Sequence, residues 1–270
     1  MDTRIDIIMA VYNEQNALEA AIESIQRQTI SNWRIIACDD ASTDESYARL
    51  CEMAEKDDRI IVLRNEENMG IAATSNRCLA VADAAFIAIH DSDDCSFPER
   101  FEVQLNYLRE HPDVSFVSSA AILFDESGEY GFIRRKSHPT KNDFAWGNPF
   151  VNPCAMFRTE VIRAMNGYRE VWYMRRTQDY DLFARLYAAG YEGVNLQTPL
   201  LYYRCQRYRA AKRHKYMFRI MEARLRIYIY HMLGYKWMKY IYVLRPLIVG
   251  LVPRSLLWHF RAKVPEDHAK

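Results

Sequence analysis

The chain has 270 residues, half of them apolar and about a quarter charged, with a formal net charge of +1. That length supports one large core or a domain with an appendage, and the apolar content excludes a disordered chain. The near-neutral total hides a division: from Arg204 onward 16 Lys and Arg stand against three Asp and Glu, leaving 20 against 32 before it.

An acidic body therefore carries a basic tail, which directs the tail toward an anionic partner, either lipid or nucleic acid. The six cysteines, Cys38, Cys51, Cys78, Cys95, Cys154 and Cys205, include no C-x-x-C pair. Their scatter argues against a zinc site and a disulfide scaffold and fits reduced, buried thiols. Met1-Asp2-Thr3-Arg4 leads into a strand-like run without a basic-then-apolar leader, so the expectation is a cytoplasmic protein.

Residues 5–10 form an isoleucine-rich run that reads as a strand, followed by a loop at Val11-Tyr12-Asn13-Glu14. Leu18, Ile22 and Ile25 keep helical spacing within residues 15–29. A second strand over 33–38 ends in Asp39-Asp40-Ala41-Ser42-Thr43-Asp44, where Thr43 is placed to cap a helix through Tyr47, Leu50, Cys51 and Ala54. A third strand over 60–63 precedes the turn Asn68-Met69-Gly70 and an alanine-rich helix over 71–82.

Residues 84–89 are a continuous apolar run ending in His90-Asp91-Ser92-Asp93-Asp94. A buried strand that delivers acids at its carboxyl end marks the edge where open α/β sheets bind ligands. Asp91, Asp93 and Asp94 repel one another unless a cation sits among them. Mg²⁺ or Mn²⁺ carrying a phosphorylated ligand suits such a set, although a solvated acidic turn has the same composition. His90 alternates away from Asp91 and reads as a strand-end residue.

Pro98 opens a helix with Phe101, Leu105 and Leu108 on one face, and a strand follows over 114–119. The pattern loosens between 120 and 172, a region expected to shape a pocket. Helical spacing resumes after Thr177-Gln178-Asp179-Tyr180, placing Asp179 near a helix N-terminus, where the macrodipole favours its charged form. Strands alternating with helices imply a doubly wound, mostly parallel α/β sheet. No G-x-G-x-x-G follows the first strand, so a dinucleotide site lacks support. The expected organisation is a body over 1–204 and a basic, aromatic-rich helical extension over 205–270.

Within that extension no apolar run reaches about 18 residues, because Arg245, Pro246 and Pro253 interrupt it. Interfacial helices on an anionic membrane fit the interleaved aromatic and basic residues. Packing on the body or on a second subunit of a homo-oligomer is the alternative. No nucleic-acid-binding module is present, and the acidic body disfavours such a partner.

The motifs taken together resemble the family 2 glycosyltransferases, inverting enzymes with a GT-A fold. The resemblance spans residues 4–204 and rests on Val11-Tyr12-Asn13-Glu14, Gln28-Thr29, Asp39-Asp40-Ala41-Ser42-Thr43-Asp44, Asn68-Met69-Gly70 with Asn76, Asp91-Ser92-Asp93-Asp94, Asn148-Pro149 to Met156-Phe157-Arg158, Gly167-Tyr168 and Gln178-Asp179-Tyr180-Asp181-Leu182. It implies that Asp40 holds the nucleotide base, usually uracil, beside Val11, Tyr12 and Glu14, and that Asn76 belongs to the donor site. It implies a D-x-D pair of Asp91 and Asp93, with Asp93 on the metal and Asp94 in the same loop, and Asp179 as catalytic base. Departures are Gln178 where the family commonly has Glu, Ala41 where Gly is frequent, and Asn152 where His often occurs.

Sugar transfer from a nucleotide diphosphate needs charge neutralised on the leaving group and a proton removed from the attacking hydroxyl. A divalent metal and the acidic loop address the first need, and Asp179 the second. The resemblance further implies a saccharide acceptor, polyprenyl-diphosphate-linked, used in surface polysaccharide synthesis at the inner face of the cell membrane. A nucleotidyltransferase would show a glycine-rich phosphate loop after the first strand, which Val11-Tyr12-Asn13-Glu14 does not supply. A non-catalytic membrane adaptor would use the basic tail alone.

Overall fold

The structure is a computed structural model that describes residues 4–174, 176–205 and 216–251. Expectations for the remainder of the tail, Pro253 included, lie outside the described residues. Strands β1 (Ile5–Val11), β2 (Trp33–Asp39), β3 (Ile60–Arg64) and β4 (Phe86–Ile89) pair in parallel in the order β3-β2-β1-β4. Helices α1 (Leu18–Gln26), α2 (Ser46–Lys56) and α3 (Ile71–Val81) make the intervening crossovers.

The continuous apolar strands are buried on both faces, and their period of two divides them between two cores. Ile5, Ile7, Met9 and Val11 face α1 and Phe101, Leu105 and Leu108 of α4 (Arg100–Glu110). Ile8, Ile36, Ile87 and Ile89 face the opposite core, which contains Cys78 of α3.

Beyond β4 come β5 (Cys95–Ser96), β6 (Phe116–Asp125), β7 (Gly128–Ile133), β8 (Met156–Arg158), α5 (Thr159–Ala164), α6 (Gln178–Ala188) and β9 (Gly193–Arg204). The sheet continues β4-β8-β6-β9-β5, with β7 on β6. Here β8 runs antiparallel to both β4 and β6, β5 is antiparallel to β9, and β6 pairs with β9 in parallel. The parallel arrangement thus holds for the first four strands and gives way to a mixed sheet. Strand β8 runs in the same sense as β7 and opposite to β4 and β6. The region over 120–172 contains the β6–β7 hairpin, β8, α5 and short helical turns such as Lys141–Ala145, capped by Thr140 and Asp143.

Thr43 does not cap α2. That helix starts at Ser46, whose backbone N–H donates to Asp44 Oδ1, while Thr43 N–H donates to Asn13 Oδ1. The polar residues around Thr43 join two loops and leave the helix start to Asp44.

In the tail, α7 (Met217–Met232) buries Leu225, Ile229 and Tyr230 completely, in the same core as Phe183 and Tyr187 of α6. The segment then continues through a 3₁₀ turn, Trp237–Val243, into α8 (Leu244–Leu251). No helix among the described residues is long and apolar enough to cross a membrane.

Candidate active site

Because β2, β1 and β4 are parallel neighbours, their carboxyl ends emerge at one edge. The strand order reverses at β1, with β2 on one side and β4 on the other, which is where open α/β sheets bind ligands. Val11, Tyr12, Glu14 and Asp40 therefore meet the loop of Asp91, Asp93 and Asp94. The first two loops are joined by hydrogen bonds: Asp40 N–H donates to Val11 O, Asn13 N–H to Ser42 Oγ, and Glu14 N–H to Ser46 Oγ. Val11 is buried and Tyr12 is exposed. Ala41 occupies the left-handed region at φ 57°, a conformation that costs a side chain and suits glycine.

Asp40 is buried, and its carboxylate accepts from Met69 N–H at 2.8 Å, Gly70 N–H at 2.9 Å and the Asn65 amide at 2.8 Å. It fixes the turn at 68–70, where Gly70 has φ 88°, at the mouth of the same edge. Asn76 has a different place. Its amide donates to Tyr168 O and Glu170 Oε1, and its oxygen accepts from Tyr168 N–H, all within 2.8 Å. Its polar atoms tie α3 to the Gly167–Tyr168 turn, whose backbone groups need partners.

The acidic loop brings carboxylate oxygens of Asp91, Asp93 and Asp94 within 4.8 Å of one another. Asp94 is fully buried; its Oδ1 accepts from Arg204 N–H at 2.7 Å, while Oδ2 has no hydrogen-bond partner. Burial first, then Asp91 and Asp93, push the Asp94 carboxyl well above its ordinary range. Burial, Asp93 and Asp179 raise Asp91 to about 7. A site that holds three carboxylates this close, one with a buried orphan oxygen, fits a hard divalent cation.

Two cations shape the loop without neutralising it. Arg204, at the end of β9, donates its Nε to Asp93 O as well as its backbone N–H to Asp94. Arg100 is fully buried beneath the loop and donates to Ile89 O at 2.8 Å and Pro153 O at 2.7 Å. Burial lowers it to about 10. His90 is buried, with Nδ1 donating to Asp91 O at 2.8 Å, and burial lowers it to about 3. It stays neutral, and the one hydrogen bond of its ring goes to the Asp91 backbone.

Asp179 is the second residue of α6. Its carboxyl is raised by burial, against hydrogen bonds from the Tyr180 backbone and from Asn148, whose Nδ2 lies 2.9 Å from Oδ2. Gln178 and Asp91 line one small cavity with His90, Asn152 and Tyr168, so the start of α6, which carries Asp179, meets the acidic loop there. The Asn148 loop is held from the tail: Arg226, buried on α7, donates to Ala145 O at 3.0 Å and Trp146 O at 3.1 Å.

Arg100, Arg204 and Arg226 are the supports that sequence reasoning missed. None had a local sign, because the carbonyls and the Asp94 carboxylate that they meet lie on other elements. Asn148 was noted only as part of a motif, without its link to Asp179.

A family model described as "Glycosyl transferase family 2" matches residues 6–165. The chain is 36% identical over 262 residues to the putative glycosyltransferase EpsE of Bacillus subtilis, covering 96% of this chain and 94% of that one. It is 35% identical over 116 residues to the UDP-Glc:alpha-D-GlcNAc-diphosphoundecaprenol beta-1,3-glucosyltransferase WfgD of Escherichia coli, covering 43% and 45%. Its fold is similar to TarS 1-349 of S. aureus, solved in complex with UDP-GlcNAc, with a TM-score of 0.69 at 15% identity over 98% of this chain and 77% of that one. The family match spans β1 to α5 and includes the ends of β1, β2 and β4 that form the edge described above. This chain belongs to glycosyl transferase family 2.

Proposed function

We propose that the chain transfers a sugar from a nucleotide-diphosphate donor, a UDP-sugar foremost, to a hydroxyl of a lipid-linked saccharide, with inversion, in polysaccharide synthesis. One observation carries this reading: the Asp91, Asp93 and Asp94 cluster lies at the switch point of the sheet, and across a shared cavity stands the helix that presents Asp179. The UDP-glucose donor and diphosphoundecaprenol acceptor in the name of WfgD, and the UDP-GlcNAc bound to TarS, support the two substrate classes.

Asp91, Asp93 and Asp94 are the residues that would hold Mn²⁺ or Mg²⁺. The cation supplies charge neutralisation at the diphosphate. Val11, Tyr12, Glu14 and Asp40 line the nucleotide side of the edge, with Asp40 also fixing the 68–70 turn.

Asp179 accepts the proton of the acceptor hydroxyl as that oxygen bonds to the anomeric carbon. The bond from that carbon to the diphosphate oxygen breaks on the opposite face, so the configuration inverts and no carboxylate nucleophile is required. Asn148 holds one oxygen of Asp179 and orients the other. The raised affinity of Asp179 for a proton brings it nearer to working pH, where a general base is most effective.

A lipid-linked acceptor locates the enzyme peripherally on the cytoplasmic face of the membrane, and the basic tail provides attraction for anionic lipid. The test is a screen of nucleotide sugars with Mn²⁺ or Mg²⁺ and membrane-derived acceptors, reading both nucleoside diphosphate release and glycosylated product. Undiminished transfer by Asp179→Asn would exclude Asp179 as the base. Undiminished transfer in a chelator would exclude the metal role.

A further inference from the structure

The turn Trp237–Val243 and helix α8 have two apolar sides. On one, Val243 and Pro246 are buried, and Tyr242 and Leu247 pack against the core shared with α6 and α7. On the other, Trp237, Met238, Ile241, Leu244, Ile248 and Leu251 recur every three or four residues after the first pair and are between 50% and 82% exposed. The inward side chains pin the backbone to the body, so the outward ones cannot turn in. Six large apolar groups in one stripe exceed the scattered surface hydrophobes of ordinary proteins.

The surroundings of the stripe are cationic. Residues 216–251 contain six Lys and Arg and one acid, Glu222, which pairs with Arg219 and Arg226. Arg224, Lys236 and Arg245 are exposed. A second copy meeting this face across a two-fold axis would bring like charges together, whereas anionic headgroups would neutralise them. The exposed Trp237 indole among aliphatic groups also suits the headgroup boundary.

The stripe connects with the catalytic loop. The Arg245 guanidinium lies 5.1 Å from the Trp146 ring centroid and donates to Trp146 O, and the Trp146 ring, itself 56% exposed, is 5.0 Å from that of Tyr242. Two residues further on, Asn148 holds Asp179.

We infer that the stripe from Trp237 to Leu251, extended by Trp146, seats the enzyme on an anionic bilayer and brings the Asp179 side of the cleft to headgroup level. The purpose of this seating rests on the proposed lipid-linked acceptor; the surface itself does not.

The full chain is mixed with phosphatidylcholine vesicles with and without phosphatidylglycerol, and bound protein is measured by flotation. The wild type is expected to bind the anionic vesicles with a blue shift of tryptophan emission, and to bind less as salt rises. Ile241→Glu is expected to lower partition by about tenfold or more, since it removes an inserted apolar group and adds repulsion. Its melting temperature and nucleotide-sugar binding should stay unchanged, because Ile241 does not pack in the core. Lys236→Glu, which keeps the apolar stripe, should also weaken binding to anionic vesicles.

Absence of wild-type binding, or equal binding by Ile241→Glu, would overturn the inference. So would a dimer in sedimentation velocity that Ile241→Glu dissociates while vesicle binding persists. Vesicle binding as expected, with no transfer to any lipid-linked saccharide, would remove the acceptor reading and leave the docking surface standing.

Discussion

Asn148 donates its side-chain amide to Asp179 Oδ2 at 2.9 Å, across 31 positions of sequence. The carboxylate proposed as base is therefore oriented by a loop, and that loop is held by Arg226 of the tail. Local helix geometry alone does not set its direction.

Removing this hydrogen bond should alter the pH dependence of transfer. Burial raises Asp179 and the Asn148 amide opposes that shift by favouring the charged form. Asn148→Ala should raise the carboxyl further. A protonated base is inactive, so the acid limb of the kcat/KM profile should move to higher pH. Asp179→Asn should lower kcat by about 10² to 10⁴ while nucleotide-sugar binding persists. Both are read from rate profiles and from donor binding measured by calorimetry.

Stability should respond to pH through the acidic loop. Asp91 is raised to about 7 and Asp94 is raised too, so the folded chain binds protons that the unfolded chain has released. These groups therefore stabilise less as pH rises from the ordinary carboxylate range through about 7. In chelator at pH 8, Asp94→Asn should melt above the wild type, and the gap should narrow toward pH 5. Each kcal/mol corresponds to about 2–4 °C in a chain of this size. Mn²⁺ should raise the wild-type midpoint at pH 8 and raise that of Asp94→Asn much less.

Arg100 supports the floor of the site. Arg100→Met would leave the buried carbonyls of Ile89 and Pro153 without a donor. A loss of about 2–4 kcal/mol in urea unfolding is expected from unsatisfied buried acceptors. The change would also withdraw a positive charge that lowers Asp91 and Asp94, so cation affinity should fall at neutral pH.

Arg226 links the tail to the loop that carries Asn148. Arg226→Leu keeps much of the side-chain volume but releases Ala145 O and Trp146 O. The loop that carries Asn148 loses its anchor. Transfer should fall about tenfold or more through misplacement of the base, with donor affinity near that of the wild type. Single-turnover rates and separate donor titration distinguish the two effects.

Much of the first half was legible in the residues. Isoleucine-rich runs, helical spacing at Leu18, Ile22 and Ile25, and acids at the ends of β2 and β4 locate the strands, the helices and the ligand-binding edge. The resemblance then drew together Asp40, Asp91, Asp93 and Asp179. The turn from a parallel to a mixed sheet was not legible: β8 has only three residues, too few for a period to register. Nor was the link from Asn76 to the backbone of Tyr168, 92 positions away, since no local pattern announces so distant a partner.

By itself the sequence determined which strand ends carry charge, because burial and periodicity are properties of neighbouring residues. The tertiary structure alone decided which buried polar groups meet: Arg204 with Asp94, Arg100 with Ile89 and Pro153, Arg226 with the Trp146 loop, and Asn148 with Asp179. It also decided that one face of α7 is core while the stripe of α8 looks outward. The reason is physical. An apolar pattern says that a face needs covering, but the partner that covers it, or satisfies a buried donor, is set by packing between distant segments.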